Sequence, residues 1–407
     1  MRATVAAIVS DVHARGDAAL LEYTAKFDKA ELTSLEVSAQ EFAAAESVLN
    51  ATQRAALQRA IDNVRRFHEA QQRKPIALET SPGVVCEQHY IPIQSVGLYV
   101  PAGTAPLPSA AIMLAVPAAI AGCEQRIMCT PPRRDGAADP AVLAAAKMCG
   151  ITRVFKVGGA QAIAAMAYGT ASIPKADKVF GPGNAWVTAA KILVANDAEG
   201  AALDMPAGPS EVLVIADESA RPEFVAADLL AQAEHSGDAQ VVLLTTSASL
   251  ADQVATETLA QMSRLDREQT LRQAIQHCRI IVVDSLEMAF DVSNTYAPEH
   301  LIVQVAEARR WLNRVRNAGS VFLGPWTPET MGDYCSGTNH VLPTYGFARA
   351  YSGLSLVDFM KRMTVQELSA DGLRDLGPTA ISIAELEGLD AHANAVQVRL
   401  RELGAST

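Results

Sequence analysis

Short apolar segments alternate with helix-type segments from residue 95 to residue 323, and this alternation restricts the possible folds more than any other feature. The first strand-like segment, 95–100, is followed by helical periodicity at 110–121, and a second series of the same kind begins at 211–216. Strands that alternate with helices form parallel sheets covered by helices on both faces. The sequence therefore predicts an α/β fold with two doubly wound, Rossmann-like, mostly parallel sheets.

The strands of the two series are assigned from their apolar runs and the turn formers beside them. They are expected at 95–100, 126–129, 153–157, 178–180, 211–216, 240–245, 279–283, 300–304 and 320–323. The first ninety residues have helical spacing, as does the segment 355–407, which shows no strand pattern. We expect a discontinuous α/β domain of residues 1–98 and 212–354 that includes the N-terminal helices, an inserted Rossmann-like domain of residues 99–211, and a helical C-terminal tail of residues 355–407.

Charge and cysteine content exclude several classes of function. The 407 residues carry a formal net charge of −11, which excludes a broadly basic surface for nucleic acid or anionic membranes. The six cysteines form no C-x-x-C pair, so a disulfide framework and a cysteine-rich zinc module are both disfavoured. The N-terminal apolar segment is broken by Ser10 and Asp11, and the longest apolar run is interrupted by Pro117. Neither is typical of a signal peptide or a membrane span, and we expect a cytoplasmic protein.

Two glycine-rich turns join expected strands to expected helices. Gly158-Gly159 precedes Gln161, and Gly181-Pro182-Gly183 precedes Asn184. Free N–H groups at a helix start, approached closely because glycine lacks a side chain, suit a phosphate or a dinucleotide. Neither turn has the G-x-G-x-x-G pattern, so a purely structural strand-to-helix turn remains the alternative.

Two short motifs place imidazoles beside other polar groups. Gln232 and His235 are three residues apart at a helix end and share a face, although a histidine there also interacts favourably with exposed helix carbonyls. Glu299 and His300 are adjacent at the entry to a strand, where they offer two proton-transfer groups of different pKa. A Glu-His pair also occurs by chance.

The densest polar run is 331–340, which includes Asp333, Cys335 and His340. Its aspartate and histidine could bind a metal and its cysteine could be a nucleophile, whereas a solvated loop is the alternative. A last polar segment, 387–392, contains Glu387 and His392 at the junction between two helices. Taken alone, this junction is explained by helix capping.

In order along the chain, these segments resemble the histidinol dehydrogenase family, from about residue 3 to the end. The resemblance rests on VGLYVP at 96–101, VGGAQA at 157–162, FGPGNAWV at 180–187, DMPAGPSEV at 204–212, QAEH at 232–235, APEH at 297–300, GTNHVLP at 337–343 and EGLDAH at 387–392. Any one motif could mislead, but the ordered series is specific.

The resemblance implies a role for each matched residue. The family's zinc ligands fall on Gln232, His235, Asp333 and His392, although such a set could equally hold Mn²⁺ or Co²⁺. The substrate-binding positions comprise those four ligands and His300 together with three further residues, Ser210, His340 and Glu387. The NAD contacts fall on Tyr99, Gln161 and Asn184, which makes 99–211 the NAD-binding domain.

The resemblance also implies a mechanism and an assembly. His300 is the general base for the first hydride transfer from L-histidinol to NAD, and Glu299 activates a water so that a second NAD can oxidise the aldehyde to L-histidine. The family is a homodimer in which the C-terminal helices complete the partner's active site. A cysteine thiohemiacetal on Cys335 is a minor hypothesis, since the family does not use one.

Two alternatives compete with this interpretation. A relative could oxidise another small polar alcohol, such as a sulfonated diol, although Glu387, His392 and the Thr-Asn-His sequence at 338–340 favour an imidazole-bearing substrate. A non-catalytic metal-binding scaffold would have lost Glu299 and His300, and both are present. Compared with the family, the chain begins later, and the loop at 130–140 is longer. In the family, the N-terminal segment contributes to the dimer, and neither of these two differences involves a site residue.

Overall fold

The computed structural model describes residues 1–102, 105–206 and 208–405, so Gly103, expected in the turn after the first strand, lies outside the described residues. The strands are β1 (Ile76–Ser81), β2 (Val84–Pro92), β3 (Ser95–Tyr99), β4 (Gln125–Thr130), β5 (Arg153–Lys156), β6 (Lys178–Phe180), β7 (Ala202–Leu203), β8 (Glu211–Ala216), β9 (Gln240–Thr245), β10 (Arg279–Val282), β11 (His300–Gln304), β12 (Ser320–Leu323) and β13 (Met360–Leu368).

The α-helices cover much of the remaining chain. They are α1 (Arg2–Arg15), α2 (Asp17–Tyr23), α3 (Ala39–Val48), α4 (Ala51–Glu69), α5 (Pro108–Ala121), α6 (Pro140–Met148), α7 (Gly159–Tyr168), α8 (Ala185–Ala195), α9 (Pro222–Ala233), α10 (Ala248–Met262), α11 (Glu268–Ala274), α12 (Leu286–Tyr296), α13 (Glu329–Tyr334), α14 (Ala370–Leu386) and α15 (Asp390–Ala405). A 3₁₀ helix, Ala308–Arg314, lies between β11 and β12, where the apolar spacing of 306–315 predicts a helix.

The chain forms two compact units: a larger one of Met1–Gln71 and Ile93–Phe359, and a smaller one of Gln72–Pro92 and Met360–Thr407. The larger unit contains two parallel five-stranded sheets. The first sheet has the order β5-β4-β3-β6-β7 and the second has the order β10-β9-β8-β11-β12. The predicted α/β fold with two doubly wound sheets is confirmed, and both sheets have the same topology.

Strand β8 shows why the second sheet is covered on both faces. Val212, Val214 and Ala216 pack into one hydrophobic cluster, and Leu213 and Ile215 pack into another. Successive side chains of a strand point to opposite faces, so a continuous apolar run needs a hydrophobic layer on each side. This pattern made the strand predictable from the sequence.

The N-terminal helices pack on the first sheet. Val5, Val9 and Leu20 join the cluster that contains Ile163 of α7 and Val187 of α8. The expectation that placed these helices with residues 212–354 is therefore wrong, because their apolar face is buried by the helices of the other sheet. The expected boundary after residue 98 also divides β3, which pairs along its whole length within the first sheet.

The smaller unit corrects two further expectations. Strand β1 and most of β2 lie within the first ninety residues, which were expected to be helical, and β13 lies within the tail, where no strand was expected. The three form an antiparallel sheet in the order β1-β2-β13, in which Val84–Pro92 pairs with Met360–Leu368. Helices α14 and α15 pack against each other in the same unit.

No helix among the described residues is both long enough and apolar enough to cross a membrane. All six cysteines are free.

Candidate active site

Glu299 and His300 lie where β11 begins, next to the first residue of β8. His300 starts β11 and Glu211 starts β8, and the two strands are neighbours in the second sheet. The strand order reverses between these two strands, so the pair marks a topological switch point. Ligands of open α/β sheets usually bind at the carboxyl ends of strands. Here the acid and the imidazole lie at the amino ends.

Backbone and carboxylate groups hold His300 on both sides. Its Nδ1 lies 3.1 Å from the Glu211 carbonyl oxygen and its Nε2 lies 3.3 Å from Asp333 Oδ1. Because the carbonyl can only accept, Nδ1 carries the hydrogen and Nε2 keeps the lone pair when the ring is neutral. The imidazole is 3 % exposed.

Glu299 is fixed by the same strand entry. The Glu211 N–H donates to Glu299 Oε2 at 2.8 Å, and that oxygen lies 3.6 Å from His300 Nδ1. Ser320 donates its N–H to the Glu299 carbonyl at 2.8 Å. Glu299 is therefore held from two neighbouring strands, through its carboxyl group on one side and its backbone on the other.

Burial of Glu299 and the charges beside His300 raise the pKa values of both groups. Burial raises the pKa of Glu299 to about 7. Burial alone lowers the pKa of His300, but the Glu299 and Asp333 carboxylates beside it more than compensate and raise it to about 10. Burial likewise opposes ionisation of Asp333, yet the hydrogen bond from His300 brings the pKa of Asp333 below its usual value. The carboxylates around His300 therefore favour a protonated imidazole at neutral pH.

Two further carboxyl groups surround the pair and were missed in the sequence. Glu211 and Glu329 are 2 % and 1 % exposed, and burial raises the pKa of each. Glu211 opens a buried strand, which is a weak signal for a functional carboxylate. Glu329 follows Pro328 at the start of α13 and has no recognisable motif around it. Four buried carboxyl groups around one imidazole make this carboxyl cluster attractive to a cation.

Helix α9 brings Gln232 to this carboxyl cluster. Gln232 is fully buried. One terminal atom of its side chain lies 3.0 and 3.2 Å from the Glu329 carboxyl oxygens and 3.1 Å from His300 Nδ1, and it is assigned as the amide nitrogen because the carboxyl oxygens accept. Its hydrogens are directed to Glu329, since His300 Nδ1 donates to the Glu211 carbonyl, and the amide oxygen is turned away from Glu329. His235 follows the helix end, and its exposed ring donates from Nδ1 to the Ala231 carbonyl at 3.1 Å. That bond leaves Nε2 of His235 as a metal-type donor atom.

His340 lies in the polar loop that follows α13. Its Nε2 is buried without a hydrogen-bond partner in the described structure, and burial lowers the pKa of the ring. The neighbouring Asn339 anchors the loop, since its Nδ2 donates to the Met113 carbonyl at 2.7 Å. An unpartnered buried imidazole nitrogen is costly and indicates a position that a ligand satisfies.

Three residues predicted to bind substrate or metal are not among the buried groups around His300. Ser210 precedes β8 and is half-buried. Glu387 and His392 are both exposed and belong to the smaller unit, where they flank the turn between α14 and α15. Among the described residues, no group of three or more His, Cys, Asp or Glu side chains is arranged to hold a metal ion.

A second polar region lies at the carboxyl edge of the first sheet. Tyr99 ends β3 and is 4 % exposed, and its hydroxyl accepts the Gly159 N–H at 3.0 Å. Gly181 follows β6 with a φ of 130°, and a Cβ there would lie 2.1 Å from the Tyr99 carbonyl oxygen. Since β3 and β6 flank the switch point of the first sheet, the Gly181 turn lies where this fold class binds nucleotides. The Gly158–Gly159 turn follows the edge strand β5 and is joined to this position by the Tyr99 hydroxyl.

The helices that start at these turns hold the other two predicted cofactor residues. Gln161 is buried in the first turn of α7 and is 3 % exposed. Asn184 is the exposed N-cap of α8, and its side-chain oxygen accepts the N–H groups of Trp186 and Val187 at 3.0 and 3.2 Å. Asn184 therefore has a structural role as a helix cap, whether or not it also contacts a cofactor.

The two parallel sheets and the buried acid–imidazole pair define an α/β enzyme equipped for proton transfer. The family model for histidinol dehydrogenase matches residues 1–400. The chain belongs to the histidinol dehydrogenase family of oxidoreductases.

Individual relatives agree with this assignment. Histidinol dehydrogenase from Photobacterium profundum is 57% identical over 401 residues, covering 98% of this chain and 90% of the relative. That from Xanthomonas euvesicatoria is 57% identical over 399 residues, covering 98% and 92%. The crystal structure of histidinol dehydrogenase from Elizabethkingia anophelis has a TM-score of 0.95 at 47% identity and covers 98% of this chain and 92% of that one.

More distant structures share only the fold. Methylmalonate-semialdehyde dehydrogenase from Oceanimonas doudoroffii has a TM-score of 0.50 at 13% identity, covering 90% of this chain and 86% of that one.

Proposed function

We propose that this chain oxidises L-histidinol to L-histidine in two steps, with two NAD⁺ and one water consumed and two NADH and three protons released. The observation that carries the proposal is the buried Glu299–His300 pair, in which two proton-transfer groups lie 3.6 Å apart among other buried carboxyl groups. An alcohol oxidation and an aldehyde oxidation in one site need two such groups, one for the alcohol proton and one for water.

His300 removes the alcohol proton at Nε2 in the first step. The Glu211 carbonyl fixes the tautomer through Nδ1, so the lone pair on Nε2 is available once the ring is neutral. The neighbouring carboxylates raise the pKa of His300 to about 10. The ammonium group of histidinol brings a positive charge among the same carboxyl groups and opposes that rise.

Glu299 activates the water that adds to the aldehyde. Its pKa of about 7, raised by burial, is close to the value at which a general base works best near neutral pH. The N–H of Glu211 donates to Oε2 and so fixes the orientation of the carboxyl group. NAD⁺ accepts one hydride in each of the two oxidations.

We propose a divalent metal, Zn²⁺ on the family's pattern, held by Gln232, His235, Asp333 and His392. The larger unit supplies an amide oxygen, an imidazole nitrogen and a carboxylate, a mixed N/O donor set that fits zinc and also Mn²⁺ or Co²⁺. Assigning the Gln232 amide nitrogen to the side of Glu329 supports this, because that assignment leaves the amide oxygen free. When bound, the metal orients the substrate and adds positive charge.

Substrate contacts are proposed for Ser210, His340 and Glu387 in addition to the ligand set. His340 supports this role through its unpartnered, buried Nε2. The imidazole of histidinol carries both a donor and an acceptor nitrogen, so it can satisfy such a group. NAD is proposed to contact Tyr99, Gln161 and Asn184.

We also propose a homodimer in which Glu387 and His392 enter the partner's site, and a cytoplasmic location. The dimer is supported by the exposure of both residues and by the lack of a complete ligand set among the described residues of the larger unit. Six free cysteines fit a reducing compartment.

The proposal is tested by comparing substrates. NADH formation is measured with L-histidinol and with a sulfonated diol, each before and after treatment with a chelator. We expect turnover of histidinol alone and its loss on chelation, with recovery on adding Zn²⁺ or Mn²⁺. Turnover of the diol but not of histidinol would reject the substrate, and metal binding without any NADH would indicate a non-catalytic scaffold.

A further inference from the structure

Lys191 and Asp204 form a buried ion pair that encloses the peptide of Gly181. The side chains are 4 % and 0 % exposed. Lys191 Nζ donates to the Gly181 carbonyl at 3.0 Å, and the Gly181 N–H donates to Asp204 Oδ2 at 2.8 Å. Both polar groups of one residue are therefore held by the two members of one ion pair.

The enclosed residue controls the geometry of the turn before α8. Gly181 has a φ of 130°, in a region that residues with side chains rarely adopt, and it lies directly against the Tyr99 carbonyl. Pro182 and Gly183 follow, and then Asn184 caps α8. A shift of the Gly181 peptide would move the whole turn and the start of the helix.

The pair also connects separate parts of the chain. Lys191 is on α8, and Asp204 follows β7 at the edge of the first sheet, where its Oδ1 accepts the Met205 N–H at 2.6 Å. Two charges removed from water are stabilising only when their geometry is held by further hydrogen bonds. Those bonds go to the Gly181 turn and to Met205, so the pair fixes the turn relative to the sheet edge.

We propose that Lys191 and Asp204 are positioning residues for dinucleotide binding, acting by holding the Gly181–Asn184 turn in its binding conformation. This inference rests on the proposed NAD site at that turn. Neither side chain needs to contact the cofactor, because both act through the peptide of Gly181.

The experiment compares Lys191→Met, Asp204→Asn and the double variant K191M/D204N. The affinity for NADH is measured by fluorescence titration, KM for NAD⁺ and for histidinol by steady-state kinetics, and stability by thermal unfolding. Each single change leaves a charge buried without its partner, whereas the double variant is neutral and regains stability. In the double variant the new amide oxygen at position 204 can still accept the Gly181 N–H, but the Gly181 carbonyl has lost its donor.

We expect the double variant to regain the thermal midpoint lost by the single variants, while its KM for NAD⁺ and its dissociation constant for NADH stay about tenfold above wild type. KM for histidinol should stay close to wild type. Arg153→Met is the matched control, because Arg153 pairs with Glu36 at the amino end of β5, the end of the strand opposite to the proposed NAD site. It should lower stability without changing the affinity for NADH.

Two results separate this inference from the proposed NAD site. Recovery of NADH affinity together with stability in K191M/D204N would show a purely structural pair and overturn the inference. Unchanged affinity in both Gln161→Ala and Asn184→Ala would overturn the NAD site, and the inference with it. If the single variants do not fold, the neutral double variant alone decides.

Discussion

Glu299 and His300 are adjacent in the chain but have different partners, and this difference assigns their roles. His300 is oriented by a backbone carbonyl and faces Asp333, whereas Glu299 is held by a backbone N–H and has its pKa raised by burial. Their separate supports allow one group to be changed while the other keeps its geometry.

Glu299→Gln should therefore separate the two oxidation steps. The glutamine oxygen can still accept the Glu211 N–H, but the side chain is no longer a base. We expect oxidation of histidinaldehyde with NAD⁺ to fall by about 10² to 10⁴. Reduction of histidinaldehyde with NADH, which reverses the first step and uses His300, should fall far less. Equal losses in both assays would contradict the division of roles.

At the scale of elements, the entry to β11 depends on a close approach from the segment before β12. The N–H of Gly319 donates to the Pro298 carbonyl at 2.9 Å, and a Cβ on Gly319 would lie 2.6 Å from the Glu299 carbonyl oxygen and 3.2 Å from Leu342 Cβ. The nearest of these atoms belongs to the backbone of Glu299, so no flexible side chain can move aside to make room for a Cβ.

Gly319→Ala should displace Glu299 and lower kcat by about tenfold or more, with a stability loss of about 1–3 kcal/mol from overpacking. Gly404→Ala is the matched control, since a Cβ there meets no atom within 4 Å. Activity and urea unfolding are measured for both variants. Wild-type activity in Gly319→Ala would show that the strand entry tolerates the displacement.

Helix α9 and strand β11 meet through a buried carboxyl group. Gln304 Nε2 donates to Asp228 Oδ2 at 2.7 Å, while Gln304 Oε1 has no partner in the described structure. Burial raises the pKa of Asp228 to about 7. The folded state therefore keeps this proton up to about pH 7, whereas the unfolded state loses it near pH 4. Stability from this group falls as the pH rises between these values.

Asp228→Asn should remove that loss. The new amide can donate to Gln304 Oε1 and still accept from Nε2, and no charge is buried at neutral pH. We expect the variant to be more stable than wild type at pH 8, by up to about 4 kcal/mol, and to approach it at pH 4. Urea unfolding across this range measures the difference. A constant difference between the two proteins at all pH values would contradict the raised pKa.

At the scale of the whole molecule, the proposed sharing of active sites predicts complementation. His300→Asn and His392→Asn are each inactive as pure proteins on this account. After unfolding and refolding together, half of the dimers contain one chain of each kind, and one of their two sites has both histidines. Activity should return to about a quarter of wild type. A mixture that stays inactive would show that each chain builds its own site.

The sequence predicted the larger unit well because its strands are short, buried and bounded by turn formers. The bounds expected for β6, β8, β9, β11 and β12 match the structure. Strands β1, β2 and β13 were missed because they are largely half-buried or exposed, and because β13 pairs with β2 over nearly three hundred residues, although β1 and β2 form a local hairpin. Their side chains have no continuous apolar run, and nothing local indicates the partner strand.

The site could be predicted only where its residues stood in recognisable motifs. Glu299 and His300 were found as an adjacent pair, whereas Glu211 and Glu329 became candidates only when folding buried their carboxyl groups around the same imidazole. The support that Lys191 and Asp204 give to one glycine peptide likewise depends on three segments meeting in space.

The central claim is that one site performs both oxidations of histidinol. The most direct test is the amount of NADH formed when a limiting, known amount of L-histidinol is consumed to completion with excess NAD⁺. The account predicts two NADH per histidinol, with histidine as the product. One NADH per histidinol, with aldehyde accumulating, would contradict it.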